Sequence, residues 1–203
     1  IYTPPHSCGC YSEAMLRGFW ALAPEQKLNL ERRGPAAAER LKEGPAYDHS
    51  SRSNGKNTAA SDWPAYRHDA LRSGVATTAV TANLKRRWST QLDGPLTQPV
   101  VAGGHVLVAD SDAGIVYALA EDSGETLWRH IAGGRVDSPP TVHQGLVLFG
   151  SADGRVTCLR LKDGAVCWRF LAAPAHVRGV AFDRLESPWP VHGSVLVLDG
   201  VAY

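Results

Sequence analysis

The chain has 203 residues, of which 44% are hydrophobic and 20% charged, and its formal net charge is +1. This composition is ordinary for a folded globular protein, and the near-neutral charge gives no electrostatic argument for binding nucleic acid or an anionic membrane. No apolar run approaches the roughly 20 residues of a membrane span.

Residues 1–24 predict two strands joined by a long loop, because residues 19–23 reproduce the apolar pattern of residues 116–120. The loop contains Cys8 and Cys10, which are too close together for an easy mutual disulfide. With His6 they are candidate soft metal ligands, although zinc sites usually need a second cluster. A disulfide to a cysteine elsewhere and a pair of plain loop thiols are the other interpretations.

Residues 25–61 are charged and rich in Gly, Pro, Ser and Asn, without the alternation of a strand. They predict a polar linker or insertion. Residues 35–43 favour one short helix, with Pro35 at its start and Gly44 after its end. The basic residues here alternate with glutamates, so we expect a solvated face and not a nucleic-acid site.

Residues 62–203 are organised by a repeat of 40 residues, marked by Trp88, Trp128 and Trp168. Within one unit, four short apolar runs at residues 97–102, 105–109, 115–120 and 125–130 are separated by turns of Gly, Asp and Ser. Such runs are typical of strands joined in hairpins. Four antiparallel strands per unit predict one blade of a β-propeller, and residues 84–92 predict an outer strand that carries Trp88.

The tryptophans and glycines of this repeat have structural roles in the predicted fold. A large ring at a constant step can pack across to the next blade and bury apolar surface there. Glycine suits the turns because a residue in them must take a positive φ. The structural positions of the repeat are Trp88, Trp128, Trp168, Gly114, Gly154, Gly124 and Gly164.

The third unit departs from the repeat. Ser138-Pro139 has its counterpart at Ser187-Pro188, 49 residues later instead of 40, and the surplus lies within residues 172–186. Residues 199–203 mirror residues 113–117 and residues 1–3 stand where a second strand belongs. We therefore expect an all-β, partial propeller that is incomplete at both ends, with two full repeats and an interrupted third.

The motifs at residues 111–119 and 122–128, and their second copy, resemble the repeat of pyrroloquinoline-quinone-like (PQQ-like) β-propellers, in the quinoprotein alcohol dehydrogenase-like superfamily. The resemblance implies that residues 62–74 open the propeller and tuck against its rim, and that residues 1–24 end a preceding blade. It also implies a disulfide from Cys8 or Cys10 to a cysteine outside the printed sequence, since family members carry similar Cys-x-Cys-Tyr loops. A periplasmic or secreted location follows from the resemblance alone.

Insertions in a repeat array map to loops, often on a binding face. In a four-stranded meander, the Cys8–Cys10 loop and the 172–186 insertion fall at the same end of the blades as the Asp110, Asp112 and Asp153 turns. We interpret this face as the functional one. Its candidate residues are His176, Arg178, Asp183, Arg184, Cys8 and Cys10.

Two functions remain open at this point. The first is a non-catalytic scaffold that presents loops to a protein or small ligand, without a cofactor. The second is part of a PQQ-dependent dehydrogenase that oxidises an alcohol or sugar with calcium present. We favour the first, because blade construction accounts for the repeated residues. Cys158 and Cys167, at apolar strand positions, are interpreted as buried thiols in preference to a disulfide bridge.

Overall fold

The computed structural model describes residues 2–3, 20–21, 36–47, 59, 61–76, 78–181 and 184–203. The chain divides into two compact parts, Ile1–Arg33 and Gly34–Tyr203. In the first part, β1 (Tyr2–Thr3) and β2 (Trp20–Ala21) pair antiparallel, as the sequence predicts. Cys8 and Cys10 lie outside the described residues.

The helix predicted over residues 35–43 is shorter in the structure, and its second half is a strand. Helix α1 spans Ala37–Arg40, and β3 (Leu41–Glu43) follows and pairs antiparallel with residues 168–170. The edge of a sheet overrides a weak local helix preference here, because it supplies backbone partners. Arg40, which we expected on a solvated face, donates to the carbonyls of Leu171, Ala173 and Pro174.

No helix of the described residues is long and apolar enough to cross a membrane.

Two antiparallel sheets form the body of the second part, residues 34–203. Their strands confirm the fold class predicted from the repeat. The first sheet contains β4 (Val100–Ala102), β5 (His105–Asp110), β6 (Ile115–Ala120) and β7 (Thr126–Ile131) in sequence order. The second sheet contains β8 (Thr141–His143), β9 (Leu146–Ser151), β10 (Arg155–Arg160) and β11 (Val166–Leu171), and β3 extends it beyond β11. The first strands, β4 and β8, contact each other.

The second sheet is buried on both faces, as expected of a blade between neighbours. Val147 and Phe149 belong to a core cluster shared with the first sheet, whereas Leu148, between them, belongs to a second cluster with Val195. This alternation has the period of two that a β-strand imposes. The sheets therefore stack face to face, and the third repeat unit covers the far side of the second sheet.

The opening segment, residues 62–74, lies against the first strands of the two sheets, β4 and β8. Trp63 exchanges two backbone hydrogen bonds with Val101, and Val142 donates to the carbonyl of Pro64. Strands β4 and β8 are sheet edges, whose unpaired backbone groups attract a further segment. Asp69 binds Ser73 through that residue's amide and hydroxyl groups.

Residues 84–92 are not a strand, which corrects the prediction made from their apolar pattern. They run without a ladder partner among the residues that the structure describes. A strand needs a neighbour to pair with, and the preceding described residues, 62–76 and 78–83, supply turns and bends instead of a sheet. Trp88 nevertheless takes the position of the repeat, as described below.

The third unit begins with a hairpin that the repeat does not have. Strands β12 (Gly179–Ala181) and β13 (Arg184–Glu186) pair antiparallel, and we call them the insertion hairpin. Strands β14 (Val197–Leu198) and β15 (Val201–Ala202) follow. Asp199 and Gly200 join these two with φ values of 50° and 76°, the positive pair that a two-residue hairpin turn requires.

Candidate functional site

Trp88 and Trp128 each join their repeat unit to the next through one polar and one apolar contact. The Trp88 indole Nε1 donates to the carbonyl of Glu121 at 2.9 Å, and the Trp128 indole Nε1 donates to the carbonyl of Leu161 at 2.8 Å. Both acceptors lie 33 residues after their donors. A buried indole N–H needs such a partner, so the repeat fixes a hydrogen bond together with a ring position.

The apolar contact explains two of the glycines. A Cβ built on Gly124 would lie 2.4 Å from the Trp88 ring, and one on Gly164 would lie 2.7 Å from the Trp128 ring. Both glycines have positive φ, 75° and 70°. Only glycine meets both conditions without strain. Trp168 packs, partly buried, against the second core cluster.

The other two repeat glycines, Gly114 and Gly154, lie where the chain enters the next unit. A Cβ on Gly114 would lie 2.4 Å from the carbonyl oxygen of Gly134, and one on Gly154 would lie 2.7 Å from the Ala173 Cβ. Each glycine carbonyl also accepts a hydrogen bond from that connection, at Ala132 and Ala172. The structural positions thus hold successive sheets at a fixed separation.

The insertion hairpin is fastened by ion pairs to turns of both sheets. Arg184 lies 3.2 Å from the Asp112 carboxylate, in the β5–β6 turn, and also donates to the Asp112 carbonyl at 2.6 Å. Arg178, just before the hairpin, lies 3.5 Å from the Asp153 carboxylate, in the β9–β10 turn. These contacts place the insertion and the two turns on one face of the stacked sheets, which we call the loop face.

Asp153, on the loop face, is a buried carboxylate with 5% of its surface exposed. It accepts a hydrogen bond from the Ser151 hydroxyl at 2.5 Å and lies 3.3 Å from the Arg155 guanidinium. A Cβ on Gly133 would lie 2.2 Å from one carboxylate oxygen. The missing side chain of Gly133 therefore makes room for the acid that Arg178 binds.

Arg135 joins the hairpin to the connection between the two sheets. Its Nε lies 2.6 Å from the Glu186 carboxylate and its Nη1 lies 3.4 Å from Asp137. The hydrogen bond that Arg135 donates to the Glu186 carboxylate is the main cause that raises the pKa of Arg135 above its usual value. Asp137 also binds the His192 ring nitrogen at 2.5 Å. The charges of the loop face are thus largely paired with one another, and they fix the hairpin's position.

Apolar side chains of the insertion project away from this charged base. Val180 is 81% exposed, Leu185 is 55% exposed and Val177 is 43% exposed. His176 is exposed as well, and Asp183 lies outside the described residues. Exposed apolar side chains on a fixed, polar-rimmed support are characteristic of protein-interaction sites.

Sequence reasoning named Arg178 and Arg184 but missed Arg135 and Arg155. A signal was available, because these positions break the repeat. At the equivalent positions of the preceding repeat, 40 residues earlier, Arg135 is replaced by Pro95, Arg155 by Ile115 and Asp153 by Ala113. Charged residues at positions that are uncharged in the neighbouring unit mark the loop face.

A cavity of about 530 Å³ lies on the side of the converging first strands. The opening segment, β8 and the stretch 194–197 line it, and it includes Tyr66, Arg72 and His143. Arg72 stacks over the Tyr66 ring at 5.4 Å. Within the described ranges, no three His, Cys, Asp or Glu side chains are grouped closely enough to hold a metal ion.

Comparison with known proteins places the repeat in a family. A family model described as outer membrane protein assembly factor BamB matches residues 70–198. The chain is 34% identical over 85 residues to outer membrane protein assembly factor BamB of Yersinia pestis. The matched region covers 42% of this chain and 21% of that protein. It is also 30% identical over 115 residues to the DNA damage-responsive serine/threonine-protein kinase RqkA of Deinococcus radiodurans, covering 53% of this chain and 17% of the kinase.

Among solved structures, the chain is similar to the quinohemoprotein alcohol dehydrogenase of Comamonas testosteroni, with a TM-score of 0.55 over 82% of this chain and 26% of that one, at 19% identity. At this identity the likeness concerns the fold alone. The chain spans about a fifth of the length of the two sequence relatives described above.

Proposed function

The chain belongs to the PQQ-like propeller family of outer membrane protein assembly factor BamB, and from this premise we propose that it is a non-catalytic module that binds a protein partner. The proposed binding surface is the loop face, with the insertion hairpin at its centre. The proposed setting is outer membrane protein assembly in the periplasm, by analogy with the relative's name. The observation that carries the proposal is the hairpin itself.

The hairpin is held in advance of binding, which lowers the entropy lost when a partner docks. Ion pairs from Arg184, Arg178 and Glu186 reach a turn of each sheet and the connection between the sheets. The Arg184–Asp112 pair is exposed on both sides, and exposed pairs contribute little to global stability, about 0–1 kcal/mol each. The three pairs together fix the position of the hairpin, which suits a recognition element better than a structural one.

The exposed apolar side chains give the partner its chemistry. Val180 and Leu185 face solvent on the two strands of the hairpin, although burying them in a core would be favourable by about 1.5–3 kcal/mol each. A partner with an apolar surface patch, rimmed by polar groups that match Arg178 and His176, would cover them. Blade packing does not account for these side chains.

The test is complementation in cells that lack the full-length gene, with the amount of assembled outer-membrane protein as the readout. The Val180→Glu/Leu185→Glu double variant should lose most of the complementing activity, since two charges would enter the proposed contact. Leu71→Glu, at another exposed apolar residue (90% exposed), is the matched control. Circular dichroism of each purified variant verifies folding.

Two outcomes would contradict the proposal. One is a double variant that complements as well as the unmodified protein. The other is dye reduction by the purified full-length protein after addition of PQQ and calcium, which would favour the dehydrogenase interpretation instead.

A further inference from the structure

Two cysteines lie on adjacent strands of the second sheet. Cys158 lies on β10, opposite Trp168 of β11. The register of the ladder shifts between Cys158 and Leu159, so that Cys167 is the extra residue of a β-bulge. A bulge re-aims a side chain, and here it brings the Cys167 side chain to the same face as Cys158, in the same core cluster.

The two side chains lie in one buried cluster. Both are free thiols in the structure, and both residues are buried, with 0% and 4% of their surface exposed. Burial raises the pKa of both thiols, so that neither is a ready nucleophile once the sheet has formed. The first unit has Ala118 and Leu127 at the equivalent positions, which shows that blade geometry does not require sulfur there.

We propose that Cys158 and Cys167 form a disulfide that locks the β10–β11 hairpin. The oxidant is a disulfide-bearing exchange partner, such as oxidised glutathione or a thiol–disulfide oxidoreductase. The Cys167 thiolate attacks one sulfur of the oxidant, forms a mixed disulfide and releases the first thiolate. The Cys158 thiolate then attacks the Cys167 sulfur and releases the second. The protein loses two protons and two electrons, and the oxidant's disulfide becomes two thiols.

The reaction belongs to the folding stage. A hairpin with a short turn closes early, while its thiols are still open to solvent and their pKa values are unperturbed. Burial by Leu148 and Val195 then protects the bond. The inference rests on the proposed periplasmic setting only for where the oxidant is met, because structural disulfides persist in oxidising compartments.

The experiment refolds the purified full-length protein in a buffer of oxidised and reduced glutathione, blocks free thiols by alkylation under denaturing conditions, and digests it with trypsin without reduction. Arg155, Arg160, Lys162 and Arg169 provide cleavage sites that separate the two cysteines into peptides 156–160 and 163–169. Mass spectrometry should find these two peptides linked. Reduction should separate them, and the linked species should be absent from Cys167→Ala, the matched control.

Thermal unfolding supplies a second readout. The melting temperature of the oxidised protein should fall by several degrees on reduction, and that of Cys167→Ala should not change between the two conditions. Refolded protein in which both peptides are alkylated, or in which either is linked to Cys8 or Cys10, would overturn the inference.

Acid-trapped protein from cells separates this inference from the proposed setting. Linked peptides in the trapped protein support both. Peptides that are linked after refolding but alkylated in the trapped protein would overturn the periplasmic setting and leave the disulfide chemistry standing.

Discussion

The two regular sheets and the insertion hairpin are held in place by different interactions. The sheets are joined by the buried Trp128 indole, by glycines at which a Cβ would clash, and by an apolar core. The hairpin is joined to the same sheets by side-chain ion pairs and carries its apolar groups outward. Core packing determines the fold, whereas the region that we propose for recognition combines polar attachment with apolar exposure. Substitutions should therefore separate the two regions by the size and the location of their effects.

The largest effect is expected at Trp128, which is 9% exposed and bonded to the Leu161 carbonyl. Trp128→Ala should lower the free energy of unfolding by about 3–5 kcal/mol, because it leaves a cavity between sheets. Leu127→Ala, on the same strand but at a half-exposed side chain, should cost far less. Urea denaturation of both variants measures the difference. Equal losses would show that the indole does not join the sheets.

Glycine substitutions divide backbone strain from steric conflict. Gly164→Ala should cost about 2–4 kcal/mol, as the sum of a positive φ and a clash with the Trp128 ring. Gly104 has a similar φ of 77° but nothing within 4 Å of a built Cβ. Gly104→Ala should therefore cost only about 1 kcal/mol, the strain alone. Denaturant midpoints of the two variants test this, and similar costs would contradict the role of the ring contact.

In the hairpin, Glu186→Gln should act locally. It removes the charge that Arg135 binds and should make opening of the hairpin easier by about 1–2 kcal/mol, intermediate between an exposed and a buried pair. The amides of residues 179–186 should then exchange with solvent about tenfold faster, while those of β9 and β10 do not change. Asp163→Asn, in the exposed Arg160–Asp163 pair, is the matched control. Faster exchange throughout both sheets would show that the ion pair belongs to the core.

The smallest effect concerns pH and compares the two sheets directly. His130 occupies the position of Phe170; burial, and then the charge of Arg169, lowers its pKa below the usual 6.5. Because the folded pKa is below the unfolded one, its contribution to stability is complete above pH 6.5 and is lost as the pH falls through the lowered value. His130→Phe, which copies the second sheet, should reduce this acid sensitivity. Denaturation midpoints across that range measure it, and an unchanged pH profile would contradict it.

The sequence predicted the repeated part of the fold because period, turn glycines and tryptophans all indicate the same arrangement. It predicted less well the segments that depend on a neighbour. Residues 84–92 have an apolar pattern but no strand to pair with, and residues 41–43 have a polar pattern but pair with β11. A short stretch of sequence contains no information about pairing partners that lie far away in the chain. On the loop face, Arg178 and Arg184 were found through the insertion, whereas Arg135 required comparison with its repeat position. The binding role of these residues, and of Cys8 and Cys10, stays a prediction.

The attachment of β3 to β11 affects how the protein can be made. Arg40 and its carbonyl acceptors are separated by about 130 residues of chain, so this contact has a high sequence separation, which slows folding. During synthesis, residues 41–43 leave the ribosome long before residues 168–170 exist. Strand β3 can therefore pair with β11 only after the whole second sheet has been translated. Until then, residues 41–43 of a newly made chain must stay unpaired.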